Sequence, residues 1–594
     1  HEAYHLEPVF EYLTTLTDSA VWQSQYSLLV WLRMVVLVPF DLDSIDSSGN
    51  LIPSIITHAK QFMEHTGRPR EAAGNMLAKL LSRPDIQSRG FLQEFINWAI
   101  EVKNTDQEFL KLGTMFTLVE IFSHGHRSEL LSYIPSVASL LETEGNETMF
   151  VRQLKVKLAG RLALTQLRPI IASWRYHRGS RSLAAGLQSV SESVKILTNS
   201  YQYTVKSKES TQEEDQSGMD EDVNFELLEG QIDALLEGLR DKDNVVRWSA
   251  AKAVGRITGR LDQELGDDIV EQVIKLFSPT ETDSAWHGGC LALAELARRG
   301  LLLTHRLDEV FPLIYQALLY DKKQGNHSIG AHVRDAACYV AWSFARAYAP
   351  QDMQKHLHDL ARHLLIVALF DREINCRRAA SAAFQEHVGR QGSFPHGIDI
   401  LTEADYFTLG NRNHAYLQVS CFVAQYPEYL HCLIDHLMEV KLKHWDIVIR
   451  QLAACALSVL APFDPNYYLT KVMPKLIPFT VDNNLVVRHG AILGVAEILL
   501  SMAGQSAQNN DPKTIEKMIY KHSVNYYLLK STEELTESEK AVLSDSENRQ
   551  KFKELYNNIQ TKHHLDKISP EMLSSIKEII FNIEKKRLYR GKGG

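Results

Sequence analysis

The sequence predicts an all-α protein, a HEAT/armadillo-type α-solenoid in which helix pairs wind into a right-handed superhelix. Three observations carry that prediction. The chain has 594 residues, too many for one compact core, so it forms several domains or a repeat array. A motif of acidic residue, short gap, small apolar residue, Arg and an Ala-rich run recurs. Arg247 stands in DKDNVVRWSAAKAV, His287 in ETDSAWHGGCLALA, Arg334 in GAHVRDAACYVAW, Arg377 in DREINCRRAASAAF, Arg450 in HWDIVIRQLAACAL and Arg488 in DNNLVVRHGAILGV. These positions lie 40, 47, 43, 73 and 38 residues apart, and 73 is two periods with a degraded unit around 413–417. That period is the one of HEAT and armadillo helix pairs. Finally, no strand-type alternation bounded by hairpin turns stands out.

Taken in order, residues 1–200 read as N-terminal helical repeats. Residues 22–38 are a strongly apolar helix stopped near Pro39, and 70–81 (REAAGNMLAKLL) carry small residues on one face. A further helix opens at Phe150 and carries Leu154, Leu158 and Leu162. Residues 201–224 read as an acidic disordered linker. Between Glu209 and Asp222 there are seven acidic and no aromatic residues, too little apolar surface to offset the entropy of ordering. Residues 225–504 hold the legible HEAT repeats, and 505–594 a polar insertion followed by C-terminal helices. Ser569-Pro570-Glu571 is a helix start: N-cap Ser, Pro at the first position, acid in the first turn.

Each residue type in the repeat has a physical reason. An acid six residues before the key position (Asp241, Glu281, Asp371, Asp482) suits a helix N-terminus, where free N–H groups and the positive dipole end lie. The Arg one turn later is placed to reach a neighbouring unit's acid, making a ladder along the stack. The Ala pairs allow close helix packing. In 371–406, Cys376, Ala379, Ala380, Ala383 and Phe384 form one apolar stripe. Gly389 is expected to end that helix, and Gly392, Pro395 and Gly397 to make the next stretch a structured loop.

Composition and motifs exclude several classes. The formal net charge is −9 and no basic domain is visible, so no nucleic-acid partner is expected. The longest apolar run, 27–40, is too short to span a bilayer and contains Arg33, so no membrane insertion is expected. The six cysteines include no CxxC pair. Four of them, Cys290, Cys338, Cys376 and Cys455, sit among Ala and Gly and read as small buried hydrophobes in a reduced compartment. Among 24 histidines, His356 and His363 share a helix face but His358 does not, and no further ligand stands at metal spacing. There is no phosphate-binding loop, GxSxG elbow or HExxH motif. The chain is therefore expected to be non-catalytic, with no cofactor and no metal. The Arg377-Arg378 pair fits one ladder Arg and one solvated Arg better than an arginine finger.

Three stretches go beyond a generic repeat: DNVVRWSAAKAVGRITGRL (243–261), ETDSAWHGGCLALAELARRGLLL (281–303) with VRDAACYVAWSFARAY (333–348), and INCRRAASAAFQEHVGRQGSFPHGIDILTEADYF (374–407). Together they resemble the tubulin-specific chaperone D family, also called tubulin-folding cofactor D. WRYHRGSRSLAAGLQ (174–188) and LYRGKGG (588–594) fit the same family, so the resemblance covers essentially the whole chain. It implies a cytoplasmic chaperone, associated with microtubules and centrosomes, that binds β-tubulin. With tubulin-folding cofactors E and C and an Arf-like small GTPase, it implies assembly or dissociation of αβ-tubulin. The assembled complex stimulates GTP hydrolysis by tubulin, with the catalytic arginine attributed to cofactor C. In the family LYRG precedes a long C-terminal half, so the chain is expected to be a piece of a longer protein. The alternative is a HEAT scaffold or transport receptor for another small GTPase or phosphatase. Such a scaffold needs no insertion like FPHGIDILTEADYF.

That insertion supplies the candidate partner-binding residues: Arg377, Arg378, Arg390, Phe394, His396, Asp399, Asp405 and Tyr406. Specific aromatic and charged residues in a long loop on a rigid array are expected contact points. The competing arrangement has Phe394 tucked under its own repeat and Asp399 and Asp405 capping helices.

Overall fold

The structure, a computed structural model, describes residues 3–16, 21–44, 49–142, 147–178, 223–325, 327–392, 394–480 and 482–509. All of the expected 201–224 linker up to residue 222, the helix start at Ser569 and nearly all of the polar 505–594 segment lie outside them. Two compact units, His1–Val310 and Phe311–Gly594, make up the chain. Their boundary falls within the 225–504 stretch read as one block.

In the first unit six helices stack in order: α1 (Trp22–Val35), α2 (Arg68–Leu81), α3 (Glu108–His124), α4 (Met149–Gln166), α5 (Asn244–Thr258) and α6 (Asp283–Arg298), each packed on the next. Partner helices such as Leu51–Phe62, Phe225–Gly238 and Gln263–Lys275 pack against them. Small residues set the closest approaches. A Cβ on Gly160 of α4 would lie 2.7 Å from the Ala253 Cβ of α5, so only Gly fits that crossing. Around it Leu158, Leu162, Leu235 and Val254 are buried.

The second unit has α7 (Ala331–Ala347), α8 (Ile374–Gln391), α9 (412–424), α10 (Ile447–Leu460) and α11 (Leu485–Asn509), with α7 packed on α8, α9 on α10 and α10 on α11. The degraded unit read around 413–417 is α9, which widens to π geometry over Ala415–Val419. A short antiparallel hairpin, β1 (Lys322–Gln324) and β2 (His327–Ile329), pairs Lys322 with Ile329 just before α7. The sequence gives no sign of it because three-residue, mostly exposed strands carry no alternation. All six cysteines are free thiols, with Cys290, Cys338 and Cys376 buried.

The recurring arginine has two roles. In all but Arg334, whose terminal nitrogen takes Tyr320 O (2.7 Å), one guanidinium nitrogen bonds carbonyls five or six residues earlier, tying down the turn that enters its helix. Arg247 takes Asp241 O and Lys242 O (2.6 and 2.9 Å). Arg377 takes Asp371 O and Arg372 O (3.0 and 3.1 Å), and Arg450 takes His444 O and Trp445 O (2.7 and 2.9 Å). The other edge reaches the next repeat. The expected ladder to an acid holds for Arg334, bidentate on Asp371 (2.5 and 3.1 Å), and for Arg152 on Asp241 (2.7 and 3.2 Å). Elsewhere it is corrected. Arg247 and Arg450 donate from Nε to Nδ1 of His287 (2.8 Å) and His489 (3.1 Å), and Arg377 meets backbone carbonyls instead.

The acid's job also differs from a helix cap. Asp241, Asp371 and Asp482 each accept the N–H two residues on (2.7, 2.8 and 2.7 Å), an Asx turn before the helix. The two acceptor histidines are each followed by glycine. A Cβ on Gly288 or Gly490 would lie 1.9 or 1.7 Å from Leu239 O or Leu442 O. The repeats therefore touch backbone to backbone beside each Arg–His bond.

One segment of the first unit runs outside the repeat pattern. After α4, residues 167–178 cross the C-terminal ends of α5 and α6 as a strap. Ala172 N–H bonds Gly259 O (3.2 Å) and Tyr176 N–H bonds Gly300 O (2.7 Å). Trp174 donates Nε1–H to Leu261 O (2.9 Å), and its ring lies where a side chain on Gly266 would stand.

Candidate functional site

The insertion after α8 is built by three residues of that helix. Arg377 is fully buried and gives all its described hydrogen bonds to carbonyls. Beyond the two that tie its own turn, Nε bonds Leu409 O (2.8 Å) and a terminal nitrogen bonds Gly410 O (3.0 Å). Arg378 donates to Tyr406 O (3.2 Å) and lays its guanidinium over the Tyr406 ring, 4.3 Å from the centroid. Ser381 donates to Ala404 O (2.9 Å). The 404–410 turn is thus pinned to the helix along one face.

The first half of the insertion is fixed by packing. The helix does not stop at Gly389. It runs on to Gln391 and ends at Gly392 with φ +61°, the left-handed C-terminal position that favours Gly. Phe394 turns inward, 5% exposed, and stacks on His387 (centroids 4.8 Å, 13°) and against Phe384 (4.9 Å). Residues 397–403, expected as loop, form a short helix. A Cβ on Gly397 would lie 2.5 Å from Val388. Tyr429 OH holds Pro395 O (2.9 Å). His396 has φ +51°, a region L side chains rarely adopt. Its ring stacks on Tyr426 at 4.1 Å and its Nε2 lies 3.7 Å from Glu428 Oε1.

The eight predicted residues therefore separate. Arg377 and Phe394 are internal struts, which corrects their expected place on a contact surface. Asp405 serves its own turn. Its carboxylate accepts the N–H groups of Thr408 and Phe407 (2.7 and 2.8 Å). The Thr408 N–H, with help from the Thr408 hydroxyl and Phe407 N–H, lowers its pKa. Arg390 is exposed and paired with Glu386 of its own helix. Arg378, His396, Asp399 and Tyr406 reach solvent. Two residues outside the predicted eight are the most exposed apolar side chains of the insertion, Phe407 at 80% and Ile398 at 76%, and Tyr406 is 50% exposed. Tyr406 and Phe407 meet edge to face at 5.6 Å. Their adjacency in EADYF is the signal that marks them.

Among the described residues no group of three His, Cys, Asp or Glu side chains is placed to hold a metal ion. His356 and His363 stack on Phe311 and Tyr315 (4.2 and 4.4 Å). No described helix is long and apolar enough to cross a membrane. What the insertion offers is a rigid, outward aromatic and aliphatic edge with a guanidinium beneath it, which suits protein contact rather than bond chemistry.

Comparison with known proteins agrees with the repeat architecture. A family model described as tubulin-specific chaperone D-like ARM repeats matches residues 150–398, and a second, tubulin-specific chaperone D-like ARM repeat, matches 1–103. Tubulin-specific chaperone D of Dictyostelium discoideum is 35% identical over 81% of this chain and 35% of its own length. Tubulin-folding cofactor D of Schizosaccharomyces pombe is 28% identical over 82% of this chain and 43% of its own length. The chain thus spans well under half the length of these relatives. Among solved structures, Kap121p bound to Ste12p aligns over 97% of this chain and 62% of its own, at 10% identity and a TM-score of 0.39. With both family models on its helical repeats, the chain belongs to the tubulin-specific chaperone D-like family of ARM-repeat proteins.

Proposed function

We propose that the protein is a tubulin-folding cofactor that binds β-tubulin without catalysing any reaction itself. With tubulin-folding cofactors E and C and an Arf-like small GTPase it assembles and dissociates αβ-tubulin, and within that complex it helps stimulate GTP hydrolysis by tubulin. It works in the cytoplasm, at microtubules and centrosomes. Family membership supports the tubulin side of this reading. The observation that carries a binding role is the outward edge of Ile398, Tyr406 and Phe407 on an insertion that Arg377, Ser381 and Phe394 hold rigid. A pre-ordered apolar edge binds without the entropy cost of ordering a loop.

The test is a pull-down of purified αβ-tubulin, and separately of the Arf-like GTPase, by the parent and by an Ile398→Ser/Tyr406→Ser/Phe407→Ser variant. The expected result is capture by the parent and at least about tenfold weaker capture by the variant, roughly 1.4 kcal/mol, at unchanged melting temperature. Parent protein that captures neither partner refutes the reading. Equal capture by the variant removes this edge from it.

A further inference from the structure

The first unit carries basic side chains in a fixed register. Lys79 stands nine residues after Arg70, Lys157 and Arg161 five and nine after Arg152, and Lys252 and Arg256 five and nine after Arg247. Positions four apart share a helix face. Because Gly160 lets α4 lie directly on Ala253 of α5, the pair on α4 comes beside the pair on α5. Helix α6 adds Arg298, with Arg299 just past its end, and a Cβ on Gly255 would lie 3.1 Å from Arg299 Nε. Helix α1 adds Arg33, whose charge acts on Lys79.

Lys157, Lys252, Arg256 and Arg298 are exposed, and Arg33, Lys79, Arg161 and Arg299 are half-buried. Lys252 sits over the Trp248 ring at 5.4 Å. Arg33, Lys79, Lys157, Arg161, Lys252 and Arg256 make no ion pair or side-chain hydrogen bond among the described residues. The acids acting on the strip are Glu71, Glu120 and Glu295, and Glu295 is taken by Arg298 (2.9 Å) and Arg299 (3.4 Å). Burial lowers the Lys157 pKa, opposed by Glu120 and Glu71 and reinforced by Lys252 and Arg161. Arg256 is lowered by burial and by Arg161 and Arg298, with Glu295 opposing. The second unit does not share this excess. Nine residues after Arg377 stands Glu386, paired with Arg346 (3.6 Å) and Arg390.

We infer that this strip is a docking surface for an extended, carboxylate-rich polypeptide segment of a partner protein. Neighbouring helices lie about 8–10 Å apart, and an extended chain advances about 3.3 Å per residue. An acid at about every third position therefore meets each basic row in turn. A protein segment fits better than a nucleic acid. Glu71 and Glu120 act on the same strip and interrupt the row that a phosphate backbone, charged at every residue, would need, whereas a peptide can place neutral residues opposite them. The proposal stands independently of tubulin binding.

The test is fluorescence anisotropy of the whole chain with a labelled glutamate dodecamer, with an oligothymidylate dodecamer as comparison. The expected result is saturable peptide binding that weakens about tenfold between low and physiological salt. It should weaken at least about tenfold in a Lys157→Gln/Arg161→Gln/Lys252→Gln/Arg256→Gln variant and not at all in Lys475→Gln, which changes an exposed basic side chain of the second unit. Should the quadruple variant misfold, Lys157→Gln/Lys252→Gln changes only exposed side chains and is expected to lose about threefold. Absence of saturable binding, undiminished binding by the folded variants, or tighter binding of the oligonucleotide than of the peptide each overturns the proposal.

Discussion

Arg450 donates from Nε to Nδ1 of the buried His489 at 3.1 Å, a bond that exists only while the imidazole is neutral with its proton on Nε2. Burial, and then the Arg450 charge, lower the His489 pKa to about 4. His387 is likewise lowered to about 4 by burial, partly opposed by its hydrogen bond to Ala341 O. In the unfolded chain these rings take a proton near 6.5. The stability they contribute is therefore complete above pH 6.5 and is lost as pH falls toward 4. Each is expected to lose about 2–3 kcal/mol between pH 7.5 and 4.5. Urea unfolding of a His489→Asn variant should show a pH dependence shallower by about that amount, and an unchanged slope would contradict the neutral assignment.

The Arg334–Asp371 pair is buried on both sides. Removing only the carboxylate strands a buried guanidinium, so Asp371→Ala is expected to cost about 3–5 kcal/mol. Arg334→Met/Asp371→Ala should recover a large part of that loss. Guanidinium chloride unfolding of the three proteins checks it, and a double variant worse than the single would count against the pairing.

Glycines give opposite signs. Gly288→Ala and Gly490→Ala push a methyl into a carbonyl of the neighbouring repeat and should each cost about 3 kcal/mol or more. Gly389 lies within α8, and a methyl added there would meet nothing within 4 Å. Gly389→Ala should therefore stabilise by about 0.5–1 kcal/mol. Thermal melts of the three variants decide both claims.

The strap is testable by limited proteolysis. The Tyr176 N–H lies on Gly300 O, which shields the Arg175–Tyr176 bond from trypsin. Trp174→Ala removes the indole anchor, and cleavage there should speed up by about tenfold, as expected when local opening becomes easier by about 1.4 kcal/mol. Equal cleavage rates would show that the indole does not hold the strap.

The repeat register was legible because Arg247, Arg377, Arg450 and Arg488 share a local task, tying the turn five or six residues before them, which fixes their spacing to their own helices. What faces the Arg from the next repeat was not legible, since a 40-residue interval does not say which side chain arrives opposite. The His-Gly dipeptides in WHGG and RHGA were the available clue. Phe394 and Phe407 show the same limit within one insertion. Among Gly and Pro there is no period to assign faces, and their opposite fates come from the stacking of His387 on one and the pinning of 404–410 by Arg377 around the other. The strap left no trace in any periodicity because its partners are the carbonyls of Gly259, Leu261 and Gly300 and the bare backbone of Gly266, all far away in sequence.

That strap changes how the first unit comes apart. In a linear stack each repeat answers only to its neighbours, and opening at one junction leaves the next intact. A segment anchored at the end of α4 and bonded past both α5 and α6 links second neighbours directly. Those three helices then share one opening event, and tension along the chain meets a clasp loaded across the stack in place of a row of junctions that peel apart one at a time.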